Sequence, residues 1–393
     1  MRPLHIVLGA ALALLSTMVS AQAQAPAQQL AAPPAQHPIW LVTDKDVGFT
    51  PVPIAFPLKA GVLSATRHSE ASHAGENIDN MIEYRSADGA VFGTIYIYYP
   101  GLPHAGLAAL AQDWAIRKNS NTPVIGGDLD LGRAGGVNGV AVRTAYSHYR
   151  GNLASAAAYI KQGRWIVTIR VSGPEARKAD IDSAMQALLD GIQFGKSEPA
   201  RIASRMTIRD CGDGDQHPAK ILPDPTDASL AVKGILGTMD GGGIQGKDDQ
   251  GDPAILPSRV PDELCRASLE VKGERYTLLR GADGEPISID GRSVRLALLS
   301  DAGRLLEVDH APKLGGYILL YHDLGETDVL GTYDSIPSDR QLAAILDGSD
   351  HEGGRVHIPV KLRPGHGAEV TLPQTSPGGN GDGRKPQPAT SSR

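Results

Sequence analysis

Every second residue is apolar along several stretches in the first half of the chain. In RWIVTIRVSG, Trp165 and the alternate residues up to Val171 are apolar, whereas arginine, threonine and serine fill most of the other positions. A period of two predicts a β-strand with one buried face. The preceding segments GVAVRTAYSHYR and ASAAAYIKQ are similarly β-rich and are separated by short turns. Three successive strands are therefore expected.

Two more β-rich runs flank Asp88-Gly89, a dipeptide that favours the tight turn of a hairpin. Two other segments have helical spacing instead. AGLAALAQDWAIRKN collects its large apolar residues mainly on one side, and the apolar residues from Ile181 to Leu189 recur at i, i+4, i+7 and i+8. These patterns predict an α+β fold in which an antiparallel sheet has helices packed on one face.

This order of elements resembles the PsbP/Mog1-like family of small sheet-plus-helix domains. The resemblance covers roughly residues 49–194. It rests on an FP-extended strand, the hairpin, a helix, the run YIKQGRWIVTIRVSG and a closing amphipathic helix. It implies a non-enzymatic accessory or binding module, and it carries over no catalytic motif.

A second block of the chain is also rich in strand signals. RYTLLR, EPISID, SVRLALL, RLLEV, GYILLYHD, DVLGTY and RVHIPVKL read as strands. Ser338 is a good N-cap for the helical segment DRQLAAILDG. The expected fold is therefore α+β with two domains, a PsbP/Mog1-like one over residues 40–196 and a strand-rich one of unknown type over residues 197–372.

The first residues have the pattern of a secretory signal. Arg2 precedes an apolar run that ends at Val19, and small residues follow, so residues 1–23 are expected to be removed after Ala23. An uncleaved anchor is the alternative. Residues 24–39 and 373–393 lack apolar periodicity and are expected to be a disordered linker and a disordered tail. The expected location is periplasmic or secreted, with no membrane insertion after signal cleavage.

The two cysteines fit an exported protein. In an oxidising compartment, Cys211 and Cys265 are expected to form one disulfide, and two buried thiols are the alternative. A cysteine-based metal site is disfavoured because neither cysteine belongs to a CxxC motif.

The charge is uneven along the chain. Its formal net value is −6; residues 40–195 contain 14 basic and 14 acidic residues, whereas residues 196–372 contain 20 and 29. Neither half has the basic excess that nucleic-acid binding needs, so a nucleic-acid partner is not expected. An acidic half could favour cations, but acidity also serves solubility.

Four residues form a candidate binding face on the predicted sheet. Arg164, Thr168 and Arg170 share one parity, and Arg143 belongs to a nearby predicted strand. Arginines on an open face could bind an acidic ligand or partner. The alternative is an ordinary solvated face. Ile166 shares the parity of these arginines, which suggests that this side is partly covered, by the linker or by the second domain.

A glycine-rich stretch of the second block is the candidate metal site. Asp240, Asp248, Asp249 and Asp252 could supply the oxygen ligands that calcium prefers. Their spacing does not match an EF-hand, so a solvated loop is the alternative. The spacing around Asp213 and Asp215 does not match an EF-hand either. No other cofactor is expected.

Histidines beside acidic residues raise the question of catalysis. RHSEASHAGE brings together His68, Glu70, His73 and Glu76, and LLYHDLGETD places His322 beside Asp323, with His310 upstream. However, adjacent strand residues point to opposite faces, so His322 and Asp323 are not expected to pair. The GxSxG, GxxxxGK[ST] and HExxH motifs are absent, and the glycine-rich stretch GGDLDLGRAGG (Gly126 to Gly136) lacks GxGxxG.

The expected function follows from these absences and from the export signal. It is that of an exported non-catalytic envelope protein that binds a partner or a small ligand. The alternative is a secreted or periplasmic hydrolase, dependent on a divalent cation or not, with its site in the second domain.

Overall fold

The computed structural model describes residues 39–72, 76–196, 203, 207–211, 217–222, 263–281, 287–289, 292–298, 304–311, 315–347, 358–364 and 367–370. Over these residues the fold is α+β and rich in antiparallel sheet. Residues 1–23 and 373–393, the proposed signal and tail, lie outside them. None of the described helices is long and apolar enough to cross a membrane.

A four-stranded sheet opens the described chain. It contains β1 (Trp40–Val42), β2 (Asp46–Phe49), β3 (Ile54–Pro57) and β13 (Gln193–Phe194), in the order β1-β2-β3-β13. The last strand joins antiparallel to β3, so the two ends of the first half of the chain meet in one sheet.

The main sheet of the first half has nine strands. They are β4 (Lys59–Ala60), β5 (Leu63–Glu70), β6 (Asp79–Ser86), β7 (Phe92–Tyr98), β8 (Ile125–Gly126), β9 (Asp130–Ala134), β10 (Val137–Tyr149), β11 (Leu153–Gln162) and β12 (Trp165–Pro174). Their order is β4-β5-β6-β7-β12-β11-β10-β8, and β9 also pairs with β10. The predicted hairpin is β6–β7, and Gly89 in its turn has a φ of 70°, which glycine adopts without strain.

Two helices pack against this sheet, α1 (Ala105–Lys118) and α2 (Lys178–Gly191), the second preceded by a 3₁₀ turn at Glu175–Arg177. The prediction that the helices lie on one face is wrong. α2 packs on the face of β12 that carries Val167 and Ile169, whereas α1 packs on the opposite face, against Ile166. Both segments have helical periodicity, but periodicity does not say which side of a sheet a helix will cover.

The two faces of β12 differ in composition accordingly. The face of Trp165, Val167, Ile169 and Val171 is entirely buried under α2 and the four-stranded sheet, as the alternation predicts. Full burial of each such side chain contributes about 1.5–3 kcal/mol. Ile166 on the other face is 1% exposed because α1 covers it. The expected partial cover of this face is therefore present. Helix α1 supplies most of it rather than the linker, and Leu324 of the second half packs against the same cluster.

The second half of the chain forms its own ten-stranded sheet. Its strands are β14 (Thr207–Asp210), β15 (Glu263–Val271), β16 (Glu274–Gly281), β17 (Ile287–Ile289), β18 (Arg292–Leu298), β19 (Leu305–Ala311), β20 (Gly316–Asp323), β21 (Glu326–Tyr333), β22 (Ile358–Arg363) and β23 (Gly367–Val370). Successive strands are neighbours from β14 to β16 and from β18 to β23; β18 follows β16 and also pairs with β17. Only the β14–β15 pair is parallel among these strands.

Helix α3 (Asp339–Asp347) packs on one face of this sheet, against Leu278, Leu306 and Leu319. It begins as the sequence predicts: Ser338 Oγ accepts from the backbone N–H of Gln341 at 3.4 Å. The buried Arg280 forms an ion pair with Asp339 at the start of the helix. This contact joins α3 to β16.

The opposite face of the second sheet continues the core of the first half. Ile318, Leu320 and Val329 belong to the same apolar cluster as Ile95 and Val167. The loop after β7 also joins the β20–β21 hairpin through backbone hydrogen bonds, from Gly101 N to Asp323 O at 3.1 Å and from Gly325 N to Tyr99 O at 2.9 Å. The two sheets are thus held together by apolar packing and by main-chain pairing.

The predicted disulfide is confirmed. Cys211 and Cys265 are joined with a Cα–Cα distance of 4.8 Å, and the bond closes a loop of 54 residues in sequence separation. Cys265 lies in β15 and is 1% exposed, so this bond connects the core of the second sheet to the chain that leaves β14. A loop of this length stabilises the folded state by roughly 2–4 kcal/mol.

Candidate functional site

An open cleft of about 540 Å³ separates the end of α1 from the first strands of the second sheet. We call it the α1 cleft. The helix supplies Leu110, Asp113, Trp114, Arg117 and Lys118; β14 to β16 supply Ile208, Arg266, Ser268, Arg275, Tyr276, Thr277 and Leu279. Its volume falls within the range of small-molecule sites.

Helix α1 is placed to form this wall because it contacts both sheets. Leu107 packs against Leu279 and Leu305 of the second sheet, while alanines on another side of the helix pack on the first sheet. His104 caps the N-terminus, where its Nδ1 accepts from the Leu107 N–H at 3.2 Å. The polar side of the last turns is left to line the cleft.

Trp114 joins the two walls at one end of the cleft. Its Nε1 donates to the backbone oxygen of Arg275 at 2.9 Å, and its ring stacks on Tyr276 with centroids 5.8 Å apart and an interplanar angle of 14°. Lys118 Nζ lies 4.7 Å from the centre of the same indole ring. The Lys118 ammonium group and the Tyr276 ring therefore both pack against the Trp114 indole, which fixes the distance between the two walls at this end of the cleft.

Positive charge exceeds negative charge in the cleft lining, where four cations accompany one carboxylate, Asp113. Arg117 is committed to structure, because its Nε donates to Asp113 at 3.0 Å and its Nη1 donates to Val124 O at 3.2 Å. Arg266 Nε contacts Asp210 at 2.9 Å, but this pair is solvent-exposed and therefore weak. Arg275 is exposed on β16. The cleft is thus cationic in a protein of net charge −6.

Tyr146 lies on β10 beneath the end of α1. Burial raises the pKa of its hydroxyl, and the nearby Asp113 carboxylate adds to the rise. The phenol therefore remains neutral through the physiological range. The Tyr146 side chain packs against Ile116 and so supports the last turns of α1.

A second polar group lies inside the protein, at the contact between the two sheets. His322 Nε2 lies 2.6 Å from Glu307 Oε2, and His322 Nδ1 lies 2.8 Å from Thr327 Oγ1. We call these residues the Glu307–His322–Thr327 cluster. Strand register explains it: β20 lies between β19 and β21, and His322 is directly opposite Thr327. A carboxylate, an imidazole and a hydroxyl in a chain are the groups that acyl-transfer enzymes use.

This cluster is closed to solvent. Glu307 and Thr327 are 0% exposed and His322 is 1% exposed. Gly101 lies directly over it: a Cβ on Gly101 would come within 2.6 Å of His322 Nδ1 and 2.8 Å of Thr327 Oγ1. A substrate cannot reach the hydroxyl while the Gly101 loop is in place.

The four residues of the predicted binding face are not brought together. Arg143 lies on the α2 side of the sheet, where its Nη1 donates to Gln186 at 3.2 Å. Arg164 is in the β11–β12 turn, and its Nη2 donates to Gly101 O at 3.2 Å. Thr168 is only 4% exposed.

Arg170 has surroundings different from those of the other two arginines. It is half-buried, its Nε donates to Ser155 Oγ at 3.1 Å, and its guanidinium lies 5.0 Å from the centre of the Tyr149 ring. Arg143 faces the other side because it is one residue from Val142, which lies under α1. A nearby strand alone does not place a residue on a given face.

The predicted calcium ligands Asp240, Asp248, Asp249 and Asp252 lie outside the described residues, as do Asp213 and Asp215. Within the described ranges, no group of three or more histidine, cysteine, aspartate or glutamate side chains could hold a metal ion.

The remaining histidine candidates have structural surroundings. His68 lies against the Trp40 ring with centroids 5.5 Å apart, and Glu70 accepts from the backbone N–H of Asn77 at 2.9 Å. His310 is exposed and contacts the Tyr317 ring at 5.0 Å. His73 lies outside the described residues.

His322 and Asp323 point to different surroundings, as strand geometry predicts. His322 is buried in the cluster, and Asp323 instead pairs with the exposed Arg304 at 3.0 Å. No described cleft gathers His310 with His322.

Sequence reasoning missed both the α1 cleft and the partners of His322. Trp114, Arg117 and Lys118 are evident in sequence as the end of a helix, but the wall opposite them is 90 residues away at Ile208 and more than 140 residues away over the rest. Glu307 and Thr327 could have been found by aligning the predicted strands β19, β20 and β21 as a meander. That alignment needs the register, which their turns do not reveal.

Comparison with known proteins gives no family. No family model matches the chain, and no curated protein matches it. A solved structure from Bacteroides thetaiotaomicron aligns with 64% of this chain and 87% of its own, at 11% sequence identity and a TM-score of 0.20. A likeness of this size supports no conclusion about fold or function, so the site has to be interpreted from its own geometry.

Proposed function

We propose that this is an exported, non-catalytic binding protein whose α1 cleft takes a small anionic ligand. The observation that carries the proposal is the cationic cleft of about 540 Å³ between α1 and β14–β16. Lys118, Arg266 and Arg275 offer charge to a carboxylate or phosphate group. Ser268 and Thr277 offer hydroxyls, and Leu279 offers apolar contact to the remainder of the ligand.

Export is supported by two features of different kind. The first 23 residues have the pattern of a secretory signal. The Cys211–Cys265 disulfide suits an oxidising compartment. Together they favour a periplasmic or secreted protein.

The resemblance of residues 49–194 to the PsbP/Mog1-like family also favours a binding role. Its support is the order of elements: the hairpin β6–β7, α1, the strands β10 to β12, and α2. Domains of that kind are mostly accessory or binding modules.

The two-domain division at residue 196 rests on the separate main sheets of the two halves.

A hydrolase is the second candidate, and the Glu307–His322–Thr327 cluster is the observation that favours it. Thr327 would be the nucleophile, His322 the base, and Glu307 the group that orients the base. The enclosure of all three residues counts against this function, since no described opening leads to Thr327. We therefore place binding first.

The experiment is a binding titration of the mature, disulfide-bonded protein. Inorganic phosphate, citrate and glucuronate are the probes, and calorimetry is the measurement. We expect at least one anion to bind with a dissociation constant below about 1 mM, corresponding to about −4 kcal/mol. The double variant Lys118→Glu/Arg275→Glu should lose this binding.

The matched control is Arg340→Glu, because Arg340 is an exposed arginine on α3, away from the cleft. It should bind as the unmodified protein does. The proposal fails if none of the three anions binds, or if the cleft variant and the control bind equally well.

A further inference from the structure

In the part of the chain that the structure describes, one region of the nine-stranded sheet is left open on the α1 side. Helix α1 covers β10 and β11 and reaches β12 at Ile166, but β5, β6 and β7 extend beyond it. Phe92 is 40% exposed and Tyr96 is 39% exposed on this surface. Exposed apolar patches that are rimmed by polar residues mark interaction sites.

Strand register arranges this surface as three rows across β5, β6, β7 and β12. The first row is Ser69, Met81, Tyr96 and Thr168; the second is Arg67, Glu83, Thr94 and Arg170; the third is Ser64, Arg85, Phe92 and Ser172. We call these twelve residues the open face, although its β12 margin is covered, with Thr168 4% exposed and Ser172 1% exposed. From the spacing of strands and residues it measures roughly 14 Å by 13 Å.

Charge on the open face is opposite in sign to that of the whole protein. Arg67, Arg85 and Arg170 accompany one acidic residue, Glu83. Arg67 and Arg85 are exposed. The protein as a whole carries a formal net charge of −6.

A fourth arginine adjoins the open face. Arg150 lies 5.3 Å from the centre of the Tyr149 ring, which Arg170 also contacts, at 5.0 Å. Arg150 is exposed, so it adds a further positive charge beside Arg170 at this margin. The hydrogen bond from Arg170 to Ser155 holds Arg170 in position, so little side-chain entropy is lost on binding.

We propose that the open face docks an acidic polypeptide. The exposed Phe92, Tyr96, Arg67 and Arg85 are of the types enriched in protein–protein interfaces, and so are the half-buried Met81 and Arg170. The face has no lysine. Neither described cavity lies on this face, which suits a macromolecule better than a small ligand. A second copy of the chain is disfavoured because it would bring these arginines against one another.

The test is fluorescence anisotropy with the full mature protein. The probe is a labelled random glutamate–tyrosine copolymer, in which the carboxylates would meet the arginines and the phenol rings would meet Phe92 and Tyr96. We expect saturable binding that weakens as salt is raised. Polyglutamate without tyrosine should bind less tightly.

The variant Arg67→Glu/Arg85→Glu should reduce the affinity at least tenfold at low ionic strength. Both side chains are exposed, so folding should not suffer, and thermal unfolding of the variant checks this. The matched control is Arg133→Glu/Arg340→Glu, which reverses two exposed arginines on β9 and α3. It should change the affinity less than twofold.

Four outcomes would overturn the proposal. They are no saturable binding of the copolymer, equal losses in the two double variants, displacement of the copolymer by polygalacturonate at equal charge, and dimerisation through this face in sedimentation. Displacement would mean that any polyanion is accepted, and dimerisation would identify the occupant as a second copy. The Lys118→Glu/Arg275→Glu variant should bind the copolymer normally, so failure here is separable from failure of the α1 cleft.

Discussion

The α1 cleft and the Glu307–His322–Thr327 cluster both lie where the two sheets meet, and they differ in access. The cluster has the side chains of a hydrolase, yet all three are at most 1% exposed. The cleft is lined by cations, an indole and hydroxyls, and it is open to solvent. Chemistry-bearing residues indicate a function only where a ligand can reach them. The difference is why binding at the cleft is preferred to catalysis at the cluster.

The two regions also differ in how much their side chains contribute to stability. Hydrogen bonds inside the cluster satisfy buried groups and hold β19, β20 and β21 in register, so they contribute to stability. Cations at the cleft surface contribute little to stability because solvent screens them. Substitutions in the cluster should therefore change the free energy of unfolding, whereas substitutions in the cleft should change ligand binding.

The largest effect is expected from His322→Ala. The variant leaves the buried Glu307 and Thr327 without their imidazole partner and should lower the free energy of unfolding by about 3–5 kcal/mol. Urea unfolding followed by circular dichroism measures it. His310→Ala is the control, because His310 is exposed on the neighbouring strand, and it should change the free energy by less than about 0.5 kcal/mol. If the two variants lowered the free energy of unfolding equally, the proposed structural role of the cluster would be wrong.

A somewhat smaller effect is expected from Gly101→Ala. The added methyl group would lie 2.6 Å from His322 Nδ1 and 2.8 Å from Thr327 Oγ1, so the loop or the cluster must shift. We expect a loss of about 1–3 kcal/mol in thermal unfolding. In the control Gly48→Ala, the nearest atom is 3.5 Å away and no loss is expected. An unchanged melting temperature for Gly101→Ala would mean that the cluster is less tightly enclosed than we infer.

Unfolding at alkaline pH should test the contribution of Tyr146, beneath the end of α1, to stability. Burial raises the pKa of Tyr146, so the folded state keeps the phenol proton to higher pH than the unfolded state does. The resulting stability is complete below pH about 10 and is lost as the pH rises further, by at most about 1.4 kcal/mol per pH unit for one tyrosine. Unfolding free energies of the unmodified protein and Tyr146→Phe, measured above pH 10, should diverge in slope. Parallel slopes would contradict the prediction.

The smallest effect on stability is expected at the cleft surface. Arg275→Ala removes an exposed side chain and should change the unfolding free energy by less than about 0.5 kcal/mol. The same substitution should weaken binding of whichever anion the protein accepts, measured by calorimetry. A large loss of stability with unchanged binding would reverse our assignment of the two regions.

Local features of the fold were predictable from sequence because their causes are local. The hairpin at Asp88-Gly89, the capped start of α3 at Ser338, and the buried parity of Trp165 to Val171 each depend on residues within a few positions. The Cys211–Cys265 disulfide was predictable because the chain has only two cysteines. The faces that α1 and α2 cover were not, since the pattern of a helix does not identify its partner.

The candidate sites show the same limit. Arg170 and Thr168 were expected on one face and share it, but Arg143 lies on the other and Arg164 lies in a turn. Parity along a single strand is a local property, whereas the alignment between strands depends on turns and bulges. Trp114 and Arg275 lie far apart in sequence and meet only because α1 packs between two sheets.

The sequence by itself determined the strand-rich α+β class, the alternation within β12, the helical segments and the pairing of its two cysteines. Each of these follows from hydrophobic periodicity, turn chemistry or composition, which act over short distances or over the whole chain at once. The tertiary structure decided which faces are covered, that His322 is enclosed with Glu307 and Thr327, and that cations from α1 and β16 share one cleft. These arrangements depend on the packing of distant segments, and burial of apolar surface selects that packing without regard to the order of residues along the chain.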